Sequence, residues 1–181
     1  MSEKPFEIRI GDVVYFHGTG PVSRAIMELQ EPGNFEGYRF SHVAIAVGDY
    51  GLILSADWKV SVDPFEKMQK KAKYTHVFRN EKWFSNEFHR AQLANEFRKW
   101  AGKTYDVPQL FGFMGWYITG RKWFVEHLQI KNREVCSTLT WRLLEQAGCK
   151  ISDDKFMPPN EMYAVMATNK DWAKVAQFTG G

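Results

Sequence analysis

Hydrophobic and polar positions follow a helical period in the stretch "REVCSTLTWRLLEQAG", residues 133–148. Its apolar residues recur three or four positions apart and so share one face of a helix: Cys136, Leu139, Leu143, Leu144 and Ala147. Gly148 follows them and is typical of a helix C-terminus. The pattern predicts a helix with Cys136 in its first turn, on the face that points to the core.

The first half of the chain has the shorter period of β-strands. Strands are predicted in "IRIGDVVYFHG", in "THVFRN" and in two runs within "SHVAIAVGDYGLILSADWKVSV". A turn around Gly48–Gly51 separates these two runs. We therefore expect these two runs to form a hairpin.

Helical signals interrupt and follow these strands. Pro21 begins a short predicted helix, and Ser85 is the expected N-cap of a longer one that stops at Gly102. The aromatic, Gly-interrupted stretch 105–130 predicts a broken helix or a loop with a helix, and "FMPPNEMYAVMA" is the last predicted element. The order indicates an α+β fold, in which a small antiparallel sheet packs against helices.

Composition and charge exclude several classes of protein. The 181 residues suffice for one domain, and 44% of them are hydrophobic. The 24 basic and 21 acidic residues leave a net charge of +3, and apart from "KKAK" at Lys70–Lys73 the basic residues are scattered. Proteins that bind nucleic acid usually carry a strongly basic face, so we expect no nucleic-acid partner.

The chain shows no membrane or secretion signal. It contains no run of eighteen or more apolar residues, so no transmembrane segment is predicted. "MSEKPFEIRIGD" lacks the apolar region of a signal peptide. A cytoplasmic location is expected, with packaging in a virus particle left open.

The two cysteines are expected to be free thiols. Thirteen residues of helix at about 1.5 Å each place Cys136 and Cys149 roughly 20 Å apart, too far for a disulfide. A helix N-terminus stabilises a thiolate, so Cys136 is a candidate nucleophile. The alternative is that Cys136 is a small buried core residue.

His42 is the candidate base for this nucleophile because it begins a predicted strand directly after a loop. A hairpin turn at Asp49–Tyr50 would place Asp57 opposite His42 and Ser55 diagonally on the same face. Either side chain could then hydrogen-bond the imidazole. A shift of one residue in register would remove both partners.

Other chemistries lack their motifs. The place of the third glycine in a dinucleotide fingerprint is occupied by Ser23, and no phosphate-binding P-loop pattern occurs. No cluster of Cys, His or carboxylate residues has metal-ligand spacing, so neither a metal nor another cofactor is expected. The glycines of a serine nucleophile elbow are also missing.

The order of the motifs resembles the circularly permuted branch of the papain-like NlpC superfamily. The resemblance runs through "GDVVYFHGTGPVSRAI", "FSHVAIAVGD", "LILSA", "AGKTYD", "VCSTLTWRLLEQAG" and "PPNEMY". In that branch the histidine strand precedes the cysteine helix. The resemblance implies one permuted papain-like domain over residues 1–181, with a core at about 9–165.

The resemblance also implies roles for individual residues. Cys136 matches the family's nucleophile, and His42 matches its general base. Ser55 stands where relatives often have a glutamate; a serine orients imidazole without stabilising its charged form, and Asp57 is the alternative third residue. Tyr105 matches an aromatic position near the cysteine and is either a substrate-binding or a core residue. Asp12 is expected to hold a turn.

Three functions are compatible with this pattern. The first is a thiol hydrolase (peptidase or amidase) that acts on an amide through a thioester, with a peptidoglycan peptide as substrate in a bacterial or phage-borne chain. The second is a lipid-directed acyltransferase or lipase, which an exposed aromatic surface on residues 111–124 would support. The third is a catalytically degenerate binding protein or virion structural protein, part of a larger particle.

Overall fold

The computed structural model describes residues 6–30, 37–48, 51–56, 59–104, 106–128 and 135–180. The strands are β1 (Val13–Gly18), β2 (His42–Gly48), β3 (Leu52–Ala56), β4 (Val60–Pro64), β5 (Ala72–Arg79) and β6 (Ala173–Thr179). The helices are α1 (Pro21–Leu29), α2 (Phe65–Gln69), α3 (Glu81–Phe84), α4 (Glu87–Trp100), α5 (Val107–Thr119), α6 (Trp123–His127), α7 (Cys136–Gln146) and α8 (Pro159–Thr168).

The strands form one sheet in the order β4-β3-β2-β1-β5-β6, and every neighbouring pair is antiparallel. The central strands β1 and β2 are apolar on both faces, which explains their uninterrupted runs "VVYF" and "VAIAV". The predicted α+β class with a small antiparallel sheet is confirmed. No helix among the described residues is long and apolar enough to cross a membrane.

Side chains of the central strands alternate between two apolar layers. Val13 and Ile45 belong to the larger layer, which includes core residues of α4, α7 and α8. Val14 and Ala44 belong to a smaller layer on the opposite face, to which α2 contributes Phe65. This alternation is the two-residue period of a strand. Helix α7 packs on β2, β3, α4 and α8, so it is covered from several sides.

One additional strand and one helix N-cap differ from the sequence-based expectation. A further strand, β4, follows the hairpin, and its last residue, Pro64, precedes α2. Ser85 was the wrong N-cap, because its hydroxyl donates to Lys82 O at the end of α3. Asn86 caps α4 instead, and its side-chain oxygen accepts from Phe88 N at 2.9 Å.

The described chain continues with β6 after α8, the last element expected from the sequence. This strand pairs with β5, for example Thr75 with Phe178, and lies beyond the expected core at about residues 9–165. Its residues are half-exposed or exposed, so they lack the clear alternation that marks a strand with one buried face. Its place in the sheet follows from the backbone hydrogen bonds that β5 offers.

A buried ion pair joins the beginning of β1 to the end of β5. Arg79 donates from Nε and Nη2 to the two carboxylate oxygens of Asp12, each at 2.7 Å. Asp12 also accepts from Arg9 N at 2.8 Å, which holds the turn before β1 as expected. Burial raises the pKa of Asp12, and the hydrogen bonds from Arg79 oppose this shift.

We expect Asp12→Asn to lower the free energy of unfolding by about 3–5 kcal/mol, because the Arg79 guanidinium would lose its buried counter-charge and keep only the exposed Glu81 carboxylate at 3.5 Å. Urea denaturation measures this loss. The matched control is Glu87→Gln, which removes a carboxylate from an exposed pair with Arg90 and should change stability by less than about 1 kcal/mol. Equal losses in the two variants would contradict a structural role for the buried pair.

Candidate functional site

Cys136 is the first residue of α7, as the hydrophobic pattern predicts. The N-cap residue Val135 has an extended backbone (φ −87°, ψ 167°) and makes no side-chain cap. Leu139 N donates to Val135 O at 2.9 Å. The N–H groups of the first turn therefore point past the helix end, where they can stabilise an anion at the cysteine.

Most of α7 is buried, and two of its threonines hydrogen-bond to backbone carbonyls at the start of the helix. The hydroxyl of Thr138 donates to Val135 O at 3.1 Å, and that of Thr140 donates to Cys136 O at 2.9 Å. The apolar face predicted from the sequence, including Leu139 and Leu143, is buried in the core. Because the helix is enclosed in this way, the position of Cys136 is set by the packing of the whole element.

His42 and Ser55 form the second part of the site. His42 is the first residue of β2, and its Nε2 lies 2.7 Å from the Oγ of the buried Ser55 on β3. The pairing of Ala44 with Ser55 and of Ile45 with Leu54 is the register expected for a turn at residues 49–50. The diagonal contact expected between His42 and Ser55 is therefore present.

Two predicted site residues lie outside the described part of the chain. Asp57, the alternative partner of His42, follows β3, and Tyr105 precedes α5. Their predicted roles stay predictions. Among the described residues, Ser55 is one side-chain partner of the His42 imidazole.

Cys136 and His42 line the same cleft, which has a volume of about 780 Å³. The apolar wall of the cleft includes Phe16 of β1 and Val22 and Ile26 of α1. Ser41, next to His42, accepts a hydrogen bond from Gly18 N at 3.0 Å and ties the β1 end to the β2 start. The structure thus brings together a thiol, an imidazole and an open space for a substrate.

Gln109 of α5 supports the cysteine helix and was missed in the sequence. It is fully buried, and its Oε1 accepts from Val135 N at 3.2 Å and from the Thr138 hydroxyl at 3.3 Å. Because the Val135 N–H can only donate, it sets the orientation of the Gln109 amide. Asp106 and Pro108 mark the start of α5 in the sequence, but they carry no signal for this contact.

Cys149 has no part in the site. It is buried after the end of α7, and it does not line the cleft. Burial raises the pKa of its thiol to about 12, with a further contribution from Asp171. Both cysteines are free, as expected from their separation. At neutral pH Cys149 is an unreactive thiol and a natural internal control for Cys136.

No family model and no curated protein sequence match this chain. Among solved structures, its fold is similar to that of the metalloprotein YiiX from Escherichia coli O157:H7, DUF1105. The similarity has a TM-score of 0.58 at 18% identity and covers 82% of this chain and 71% of YiiX. The neighbour is compatible with an α+β papain-like fold, and an identity this low supports the fold alone.

The name of that neighbour raises the question of a metal centre. Across the described ranges of this chain, no group of three or more His, Cys, Asp or Glu side chains is arranged to hold a metal ion. A protein zinc site usually needs three or four such ligands. The described residues therefore do not fit a metal centre of that kind.

We expect Gln109→Leu to lower the free energy of unfolding by about 1–3 kcal/mol, because the buried Val135 N–H would lose its acceptor, whereas the Thr138 hydroxyl keeps Val135 O. Urea denaturation measures this change. Gln92→Leu on the half-buried face of α4 is the matched control and should stay within about 0.5 kcal/mol. A Gln109→Leu protein as stable as the control would contradict the support that we assign to this amide.

Proposed function

We propose that this chain is a cysteine hydrolase that cleaves an amide bond by acyl transfer through a thioester, with a cell-wall peptide as its substrate class. One observation carries the proposal: His42, whose Nε2 lies 2.7 Å from the Ser55 Oγ, lines the same cleft as Cys136, the first residue of a buried helix. A nucleophile, a base and a group that orients the base are the parts that such a reaction needs.

The reaction begins with proton transfer from the thiol. When Nε2–H of His42 donates to Ser55, the other ring nitrogen, Nδ1, has the lone pair that accepts the Cys136 proton. The thiolate then attacks the substrate carbonyl carbon, and the oxyanion accepts a hydrogen bond from Cys136 N–H at the start of α7. The His42 imidazolium returns the proton to the leaving nitrogen, which departs as an amine and leaves a thioester.

Water completes the cycle. His42 takes a proton from the water molecule as its oxygen attacks the thioester, and the C–S bond breaks to release a carboxylic acid and restore the thiol. Ser55 is neutral, so it orients the imidazole but stabilises the imidazolium less than a carboxylate would. This difference favours a slower enzyme than one with a carboxylate at the same position.

We expect Cys136 to react with iodoacetamide at a pH clearly below about 8.5, the pKa of an unperturbed thiol. His42→Ala should remove this low-pH reactivity, because the imidazole no longer stabilises the thiolate. Peptide mass spectrometry resolves Cys136 from Cys149, whose pKa of about 12 keeps it unlabelled.

His127→Ala on α6, away from the cleft, is the matched control and should leave the profile unchanged. Cys136→Ser should abolish hydrolysis of any cell-wall peptide that the wild-type protein cleaves. If Cys136 titrates as an ordinary thiol in both wild type and His42→Ala, the hydrolase proposal fails. A binding or virion structural role would then be the better explanation.

A lipid-directed acyltransferase or lipase is the second candidate, and a specific surface favours it. Phe111 is 59% exposed, Ile118 72% and Trp123 55%, all on the α5–α6 pair. The two helices approach closely, since a Cβ at Gly112 would lie 2.8 Å from Phe124 O. Helix α5 also contacts α1, which forms part of the cleft wall.

For this second candidate, we expect the protein to co-sediment with vesicles that contain phosphatidylglycerol. Phe111→Ser should weaken the partition about tenfold, because it removes one large apolar side chain from the membrane contact. Phe88→Ser is the control, since Phe88 is 63% exposed on α4. Absence of sedimentation in the wild type would argue against a lipid substrate.

A further inference from the structure

The basic segment of the sequence lies on the wall of the cleft that contains Cys136. Lys70, Lys71 and Lys73 all line this cleft, and all three are exposed to solvent. Among the described residues that line it, none is an aspartate or a glutamate. The described lining therefore combines an apolar wall with three positively charged side chains and no negatively charged one.

Nearby carboxylates offset this charge only in part. Asp63 is hydrogen-bonded by Lys67 and by Ser61, which lowers the pKa of Asp63, and the charge of Lys71 adds a smaller contribution. Glu66 is exposed on α2 and does not line the cleft. No ion pair between the three cleft lysines and a carboxylate is seen in the described part of the chain. The segment keeps a positive balance toward the cleft.

The backbone of the lysine segment is held in place. Ala72 pairs with Gly18 at a register shift in β1, and Lys71 O accepts from the Thr19 hydroxyl at 3.4 Å. On the other side, Lys73 O accepts from Gly180 N at 2.7 Å. The ammonium groups are thus presented from a fixed edge of the cleft, although the side chains themselves are flexible.

We propose that Lys70, Lys71 and Lys73 form an anion-binding subsite that selects acyl substrates with a carboxylate or phosphate near the scissile carbonyl. The apolar wall of Phe16, Val22 and Ile26 accepts the uncharged part of the same substrate. A cleft lined by one sign of charge raises the local concentration of ligands of the opposite sign. This inference rests on the proposed function for the reaction, but the charge itself can be measured without it.

The test compares two reagents that alkylate the same thiol and differ in charge. Iodoacetate is anionic and iodoacetamide is neutral, so the rate with iodoacetate divided by the rate with iodoacetamide at Cys136 reports the electrostatic potential in the cleft. The intrinsic reactivity of the thiol contributes equally to both rates and therefore cancels in this ratio. Replacing all three cleft lysines by glutamine should lower the ratio about three- to tenfold at low salt.

A control with the same change in net charge separates the subsite from the overall field. It replaces Lys82, Lys155 and Lys170 by glutamine; these lysines are exposed and do not line the cleft. The control should keep at least two-thirds of the wild-type ratio. An unchanged ratio in the cleft variant, or an equal fall in both variants, would overturn the proposal.

Two measurements on the wild-type protein complete the test. Raising the sodium chloride concentration should lower the ratio, because salt screens the lysines; a ratio independent of salt would count against the subsite. Inorganic phosphate and succinate, compared at equal ionic strength, should slow labelling by iodoacetate, and the stronger of the two identifies the preferred anion. No slowing by either would also overturn the proposal.

The two proposals can fail separately. If Cys136 reacts with iodoacetamide as an ordinary thiol while the ratio still depends on the three lysines, the hydrolase proposal fails and the anion subsite stands. If the thiol is activated through His42 but the ratio ignores the lysines, the hydrolase proposal stands and the subsite fails.

Discussion

The burial of α7 is the constraint on which the rest of the structure depends. This helix packs against β2, β3, α4 and α8, so a shift in any of them would move Cys136. The buried hydroxyls of Thr138 and Thr140 on α7 also need hydrogen-bond acceptors, and these are backbone carbonyls at the start of the helix and the side chain of Gln109. A well-packed interior transmits such constraints because it has little free volume. The cysteine is therefore held by the core, although it lines an open cleft.

The central strands fix the position of His42, as the packing of α7 fixes that of Cys136. β2 lies next to β1 and β3 in the middle of the sheet, with side chains buried on both faces, and His42 is its first residue. A position at the end of a rigid strand lets a side chain reach the cleft while its backbone stays fixed. The contact with Ser55 then limits the rotation of the imidazole. Helix α7 and strand β2 thus hold Cys136 and His42, which are far apart in the sequence, at the same cleft.

Charge distribution in the cleft complements this geometry. The neutral Ser55 adds no negative charge to the site, and the lysines on its edge add positive charge. A thiolate would therefore lie in surroundings whose potential is positive, from the start of α7 as well as from the lysine segment. Phe111 of α5 and Trp123 of α6 are exposed and do not line the cleft.

Much of the fold and the centre of the site could be predicted because their signals are local. The period of three to four residues located α7 and Cys136, and the strand register predicted from the sequence, observed from Ala44 to Ala46, joins His42 to Ser55. The cap of α4 was misplaced because Ser85 and Asn86 are adjacent and both are good capping residues. Local sequence cannot decide between them without the observed hydrogen bonds.

The remaining features depend on contacts between distant parts of the chain. Strand β6 joins the sheet because β5 offers it unpaired backbone groups, and its own pattern gives little sign of this. Gln109 supports α7 across a long stretch of sequence, and the "KKAK" segment reaches the cleft because Ala72 pairs with Gly18. Local periodicity records which face of an element is apolar, whereas these contacts arise when separate elements pack together.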